Sequence, residues 1–326
     1  MVPLWLASAL LRTAARRARF GPLRDSWTFT FEATVAFLRS VSKRAAALSP
    51  VEQRALWSKL AAPPSAALRK VSIGVETIAG RRCVRYVPKT GAEGRGVVLY
   101  LHGGSFIYGS PERSHREMIT RIALASRKPV IGVDYRLAPE HPFPAALEDA
   151  LAVHDALATT GPVVIAGDSA GGNLTLAVAL AIRDGWGGVP PGERTRPAGL
   201  VALSPWVDPN AMEGSMTGNE LFDWGVMTVF SGWRDAYAGP LDPTSPLISP
   251  GHAELAGLPP TLVTIGGCEM LRDQVMAFVA SARAAKVDLT LVDEPDMVHN
   301  WPTLVLDAPA AERTYAAIGS FVASRL

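Results

Sequence analysis

The chain has 326 residues, with 48% hydrophobic and 19% charged residues and a formal net charge of +2. That is globular composition with ample material for a core, and the near balance of charge excludes a polyanion-binding protein that works by bulk charge. The two cysteines, Cys83 and Cys268, form neither a CxxC pair nor a ligand-like cluster, which excludes a disulfide framework and a structural zinc site and fits two reduced thiols in a cytoplasmic protein.

Residues 2–11 are apolar, and Arg12, Arg16, Arg17 and Arg19 follow them. A secretory leader carries its positive charge first, and the run is too short to span a bilayer. The expectation is a basic amphipathic helix packed on the body of the protein; the second reading is weak contact with a membrane surface. Up to about residue 65 the chain reads as helical, with Ser49-Pro50-Val51-Glu52 as a helix start and Pro63-Pro64 as the stop.

From Val71 the pattern changes. Strand-like runs fall at 71–77, 82–87, 97–101, 130–133, 163–166, 199–203, 261–265 and 289–292. The later runs are continuously apolar, as strands buried on both faces of a parallel sheet must be. Helical stretches at 114–126, 145–159, 174–183, 270–285 and 309–325 separate them. The alternation predicts an α/β fold with a mostly parallel eight-stranded sheet flanked by helices. Residues 185–196 read as an exposed loop.

Residues 206–249 break the alternation. They carry Phe222, Trp224, Met227, Phe230, Trp233 and Tyr237 and then a series of prolines. So aromatic an insertion between two strands reads as a cap over an apolar pocket. The expected organisation is an N-terminal helical segment 1–65, a first core part 66–205, a cap insertion 206–249 and a second core part 250–326.

The chemistry begins at Gly167-Asp168-Ser169-Ala170-Gly171, between a β-branched run and a helical run. A strand, a sharp turn and a helix there would push the Ser169 hydroxyl out at the carboxyl edge of the sheet, with glycines wherever a Cβ would collide. A nucleophilic serine needs a base, an acid that orients it and donors for the developing oxyanion. His299, in the loop after the last strand, is the base that the order nucleophile, acid, histidine requires. Glu269, after the strand at 261–265, is the chosen acid. Asp273 is its main rival, and Asp208, Asp293, Glu294 and Asp296 fit less well. His102-Gly103-Gly104-Ser105-Phe106 follows the strand at 97–101, and amides of Gly103 and Gly104 with that of Ala170 are the expected oxyanion hole. A phosphate cradle is the weaker reading of these glycines, because no Gly-Lys-Ser/Thr follows. Ser105, Phe106, Phe222, Trp224 and Phe230 are expected to line the pocket.

Separated segments then agree: His102 to Phe106, Asp134-Tyr135-Arg136-Leu137-Ala138-Pro139-Glu140-His141-Pro142-Phe143-Pro144-Ala145, Gly167 to Asn173, Gly257 to Leu262 and Leu271-Arg272-Asp273. Together they resemble the hormone-sensitive-lipase-like bacterial carboxylesterases of the α/β-hydrolase superfamily. The resemblance implies an α/β-hydrolase fold with a helical cap built partly from the N-terminal helices, and a Ser169–Glu269–His299 triad. It implies ester hydrolysis without metal or organic cofactor on a short- to medium-chain small-molecule ester, with no nucleic-acid partner, and homodimers are common in the family. Many members have Asp-Pro where this chain has Glu269-Met270, and a third glycine where it has Ser105. An amidase, formamidase or acyltransferase with the same triad is the nearest alternative, and a non-catalytic small-molecule receptor is a more distant one.

Overall fold

The computed structural model describes residues 2–60, 64–92, 94–306 and 308–326, so Pro63 of the expected helix stop lies outside the described residues. Three helices come first: α1 (Val2–Phe20), α2 (Phe29–Ala45) and α3 (Pro50–Trp57). Helix α3 starts where its sequence says it should. The Ser49 hydroxyl caps the Glu52 amide, Glu52 accepts the Ser49 amide, and Pro50 supplies a preset φ.

The strands are β1 (Val71–Ile78), β2 (Arg81–Pro88), β3 (Val97–Leu101), β4 (Val130–Val133), β5 (Val163–Asp168), β6 (Gly199–Leu203), β7 (Thr261–Gly266) and β8 (Leu289–Glu294). They form one eight-stranded sheet in the order β1-β2-β4-β3-β5-β6-β7-β8. β2 runs antiparallel to β1 and to β4, and every other pairing is parallel. Every residue of β4 to β7 is buried, which is why those segments read as unbroken apolar runs; β1, at the sheet edge, has its middle exposed.

Between strands lie α4 (Arg116–Ser126), α5 (Ala145–Ala158), α6 (Ala170–Asp184), α7 (Ser215–Gly218), α8 (Met227–Ala238), α9 (Arg272–Ala284), α10 (Trp301–Leu304) and α11 (Pro309–Ala323). The two faces of the sheet bury alternate residues of each strand. Val98, Tyr100, Val164 and Ala166 pack with Ile119 and Ile122 of α4 and Ile318 and Val322 of α11. Leu99, Leu101, Ile165 and Val263 pack on the other face with Leu147 of α5, Leu176 of α6 and Phe278 of α9. Each fully buried Leu, Ile or Phe contributes roughly 2 kcal/mol, so these two layers outweigh any capping term.

The largest boundary difference from the sequence reading is at α6, which starts at Ala170 rather than at Leu174. Gly171 and Gly172 look like loop residues by propensity, but they are glycines for packing. A Cβ on Gly171 would strike the Leu101 carbonyl, and one on Gly172 would press on Pro205 at 2.9 Å. The sheet's consequence for function is geometric: the loops after β3, β5, β7 and β8 all leave from one edge.

Candidate active site

Ser169 sits between β5 and α6 with φ 54° and ψ −117°, a conformation that costs a non-glycine residue on the order of 1–3 kcal/mol. The turn exists because Gly167 and Gly171 close on one another: a Cβ on Gly167 would run into the Gly171 carbonyl. The strained turn lifts the Ser169 side chain into a cavity of about 310 Å³.

His299 meets Ser169 there, and buried Glu269 meets His299 from behind. His299 Nε2 lies 2.9 Å from Ser169 Oγ, and Nδ1 lies 3.0 Å from Glu269 Oε2. The other carboxylate oxygen of Glu269 accepts the Ser204 hydroxyl at 2.7 Å and the Gly266 amide at 2.6 Å. Burial pushes the Glu269 carboxyl up, against the lowering pull of His299 and Ser204. For His299, burial alone would lower the imidazole value, but the hydrogen bond and charge of Glu269, then Asp223 and Asp168, carry it above the ordinary 6.5.

The rival acids are engaged elsewhere. Asp273 accepts the Ser215 amide at 2.8 Å, Asp293 pairs with Arg272 at 2.9 Å and Glu294 with Arg313 at 2.7 Å. Asp296 accepts the Ser26 hydroxyl at 2.7 Å, and Asp208 faces His252 at 3.2 Å.

The glycine loop corrects one expectation. The Gly103 amide is not free for an oxyanion, because it donates to Asp168 Oδ1 at 2.9 Å. The next two amides, of Gly104 and Ser105, have no acceptor among the described residues, and both residues line the cavity. Ala170, the first residue of α6, has no earlier helical carbonyl to bond.

Asp168 itself is fully buried. It receives Tyr100 Oη at 2.5 Å, Asn300 Nδ2 at 2.8 Å and Gly103 N at 2.9 Å, and it faces His115 Nε2 at 3.2 Å. Burial would raise this carboxyl, but His115 and these hydrogen bonds hold it down at about 2.

Two neighbours of this constellation had no signal in the sequence. Asp223, inside the aromatic insertion, accepts the amides of Met270 at 2.8 Å, Trp224 at 2.8 Å and His299 at 3.1 Å. Trp57 of α3 stacks on Tyr108 with centroids 5.3 Å apart and meets Trp224 edge-on at 5.8 Å. Only the proximity of three distant segments reveals either placement. Trp224 also donates its indole N–H to the His299 carbonyl at 2.8 Å.

Of the five expected pocket residues, Ser105, Trp224 and Phe230 line the cavity. Phe106 and Phe222 do not. Phe106 is buried and stacked on Tyr237 with centroids 3.5 Å apart, and Phe222 packs towards Trp27 and Phe31 with the Arg24 guanidinium 4.2 Å from its ring. Phe106 faces the core, and half-buried Phe222 faces the N-terminal helices. Among the described residues no group of His, Cys, Asp or Glu is placed to hold a metal ion.

A model of the α/β-hydrolase fold family matches residues 98–303. An acetyl-hydrolase of Streptomyces hygroscopicus is 36% identical over 74% of this chain and 80% of its own length. An esterase of Acinetobacter venetianus is 32% identical over 72% of this chain and 77% of its own. The crystal structure of an esterase from the bacterial hormone-sensitive lipase family superposes with TM-score 0.79 and 33% identity, covering 90% of this chain and 98% of that one. The chain therefore belongs to the α/β-hydrolase fold family, among its hormone-sensitive-lipase-like carboxylesterases.

Proposed function

We propose that this carboxylic ester hydrolase cleaves its substrate through an acyl-enzyme on Ser169. Ser169 Oγ attacks the ester carbonyl while His299 Nε2 takes the hydroxyl proton, and Glu269 steadies the imidazolium. The amides of Gly104, Ser105 and Ala170 receive the oxyanion; one such donor is worth on the order of 3 kcal/mol of barrier. His299 returns the proton to the leaving alkoxide. It then takes a proton from water as the water attacks the acyl carbon, and gives that proton to Ser169 Oγ as the bond to the acyl carbon breaks and the carboxylic acid leaves.

The observation that carries this reading is the hydrogen-bonded run Ser169–His299–Glu269, with contacts of 2.9 and 3.0 Å, in which Ser169 and His299 line the cavity and Glu269 is buried behind His299. The cavity's aromatic wall of Trp57, Trp206, Trp224, Phe230 and Trp233 favours an apolar acyl or alcohol group, and its volume of about 310 Å³ favours short to medium chains. Helix α3 and α8 would act as a cap, linked by the Trp233 indole donating to Gln53 at 2.9 Å.

Turnover of p-nitrophenyl acetate, butyrate, octanoate and palmitate, each beside the matching p-nitroanilide, tests the proposal. Fast cleavage of the short esters, slow cleavage of palmitate and feeble cleavage of anilides is the expected pattern. A folded protein that cleaves the anilides as well as the esters would move the assignment to an amidase.

A further inference from the structure

Helix α1 carries an apolar face that none of the described residues covers. Leu4, Ala7, Leu11, Ala14 and Ala18, spaced three and four apart, share one side of the helix and are all exposed. Leu4 is 73% and Leu11 72% exposed, and Leu10 beside them is exposed too. The opposite side is anchored: Ala9 and Thr13 are buried, and Arg16 and Arg17 both bind the buried carboxylate of Glu32 on α2, at 2.5 and 2.8 Å. The leucines therefore point outward because the helix is fixed, not because it is loose.

Arg12 and Arg19 are exposed along the flank of this stripe, and neither meets an acidic partner among the described residues. The helix contains no Asp or Glu at all. A second copy of the chain laid on this face would bring arginines together with no acid to meet them. An anionic surface would satisfy both the leucines and the arginines. No helix among the described residues is long and apolar enough to cross a membrane.

We infer that α1 lies in the plane of an anionic lipid surface, with Leu4 and Leu11 in the apolar boundary and Arg12 and Arg19 at the headgroups. The placement bears on the cavity. Trp5, on the same helix, packs around Val41, Ala45 and Leu56 together with Trp57 and Leu60, and the last two line the cavity that holds Ser169. Docking by α1 would set the rim of that cavity against the lipid surface, where apolar esters dissolve.

Flotation of the full chain with phosphatidylcholine vesicles, with and without phosphatidylglycerol, is the test. The expected result is binding that requires phosphatidylglycerol and weakens with salt. Arg12→Gln and Arg19→Gln should each reduce partition on the order of fivefold, the worth of one cation at an anionic surface. Leu4→Ser/Leu11→Ser should reduce it on the order of tenfold or more. All these variants should keep wild-type turnover of p-nitrophenyl acetate, and Ser169→Ala should float like the wild type, so the inference is separable from the catalytic reading. Absence of flotation, or flotation undiminished in the variants, overturns it. A concentration-dependent dimer that Leu11→Ser dissolves, without vesicle binding, would give the face to a second copy and overturn it as well.

Discussion

The carboxylate of Asp223 accepts the backbone amide of His299 at 3.1 Å and, through its other oxygen, that of Met270 at 2.8 Å. One side chain in the aromatic insertion thus fixes both the histidine loop and the residue next to Glu269. Its charge also helps to lift the His299 value.

The pH dependence follows with a definite sign. His299 must be neutral to act as base, and its value lies above 6.5, so kcat/KM should fall as pH drops through a midpoint above 6.5. Asp223→Asn removes the negative charge but keeps only one of the two acceptor oxygens, so the His299 or the Met270 amide loses its partner; loss of the charge should move the midpoint to lower pH. A pH–rate profile checks this; an unmoved midpoint would mean that the charge of Asp223 does not reach the imidazole.

Glu269→Gln should lower kcat by about 10³–10⁴-fold, the scale on which losing the orienting carboxylate costs other triads. Asp273→Asn should leave kcat within a few-fold of wild type and cost some stability, because Asp273 caps the Ser215 turn at 2.8 Å. Steady-state kinetics beside thermal denaturation separates the two residues.

Asp168 joins the nucleophile turn, the glycine loop through Gly103 and the histidine loop through Asn300. Asp168→Asn should loosen all three and lower kcat by about a hundredfold, the cost of small misplacements of reacting groups. The acid limb of stability provides a second readout. A carboxyl held at about 2 rather than its ordinary 3.8 stabilises the fold above that ordinary value, and the benefit disappears as pH falls through about 2. Acid unfolding of Asp168→Asn should therefore differ from wild type most above pH 3.8.

Gly104 and Ser105 make opposite predictions. Gly104 has φ 116°, and a Cβ there would strike the Tyr108 carbonyl, so Gly104→Ala should displace the loop and sharply reduce kcat. Ser105 has φ 55°, a conformation glycine adopts freely, so Ser105→Gly should retain activity without loss of stability. Kinetics and melting of the two variants check the pair.

Much of this was legible in the chain itself. Fully buried strands such as β5 and β7 announce themselves as apolar runs, and the strand–turn–helix at Ser169 has steric demands that show as glycines. The choice between Glu269 and Asp273 was less legible, since they lie four residues apart and only folding shows that Glu269 meets His299 while Asp273 turns towards Ser215. The Gly103 error has the same origin: which amide of a glycine loop is free depends on Asp168, 65 residues away. Asp223, Trp57, Phe106 and Phe222 are likewise decided by long-range packing, to which local pattern is blind.

The most direct test of the central claim is mass analysis of the protein quenched during turnover of p-nitrophenyl butyrate, with peptide mapping and Ser169→Ala as the companion. The account predicts a butyryl adduct on the peptide containing Ser169, none in the variant, and a kcat in the folded variant lower by about 10⁵–10⁶-fold. A folded Ser169→Ala that still hydrolyses the ester at a comparable rate, or an adduct mapped to another residue, would contradict it.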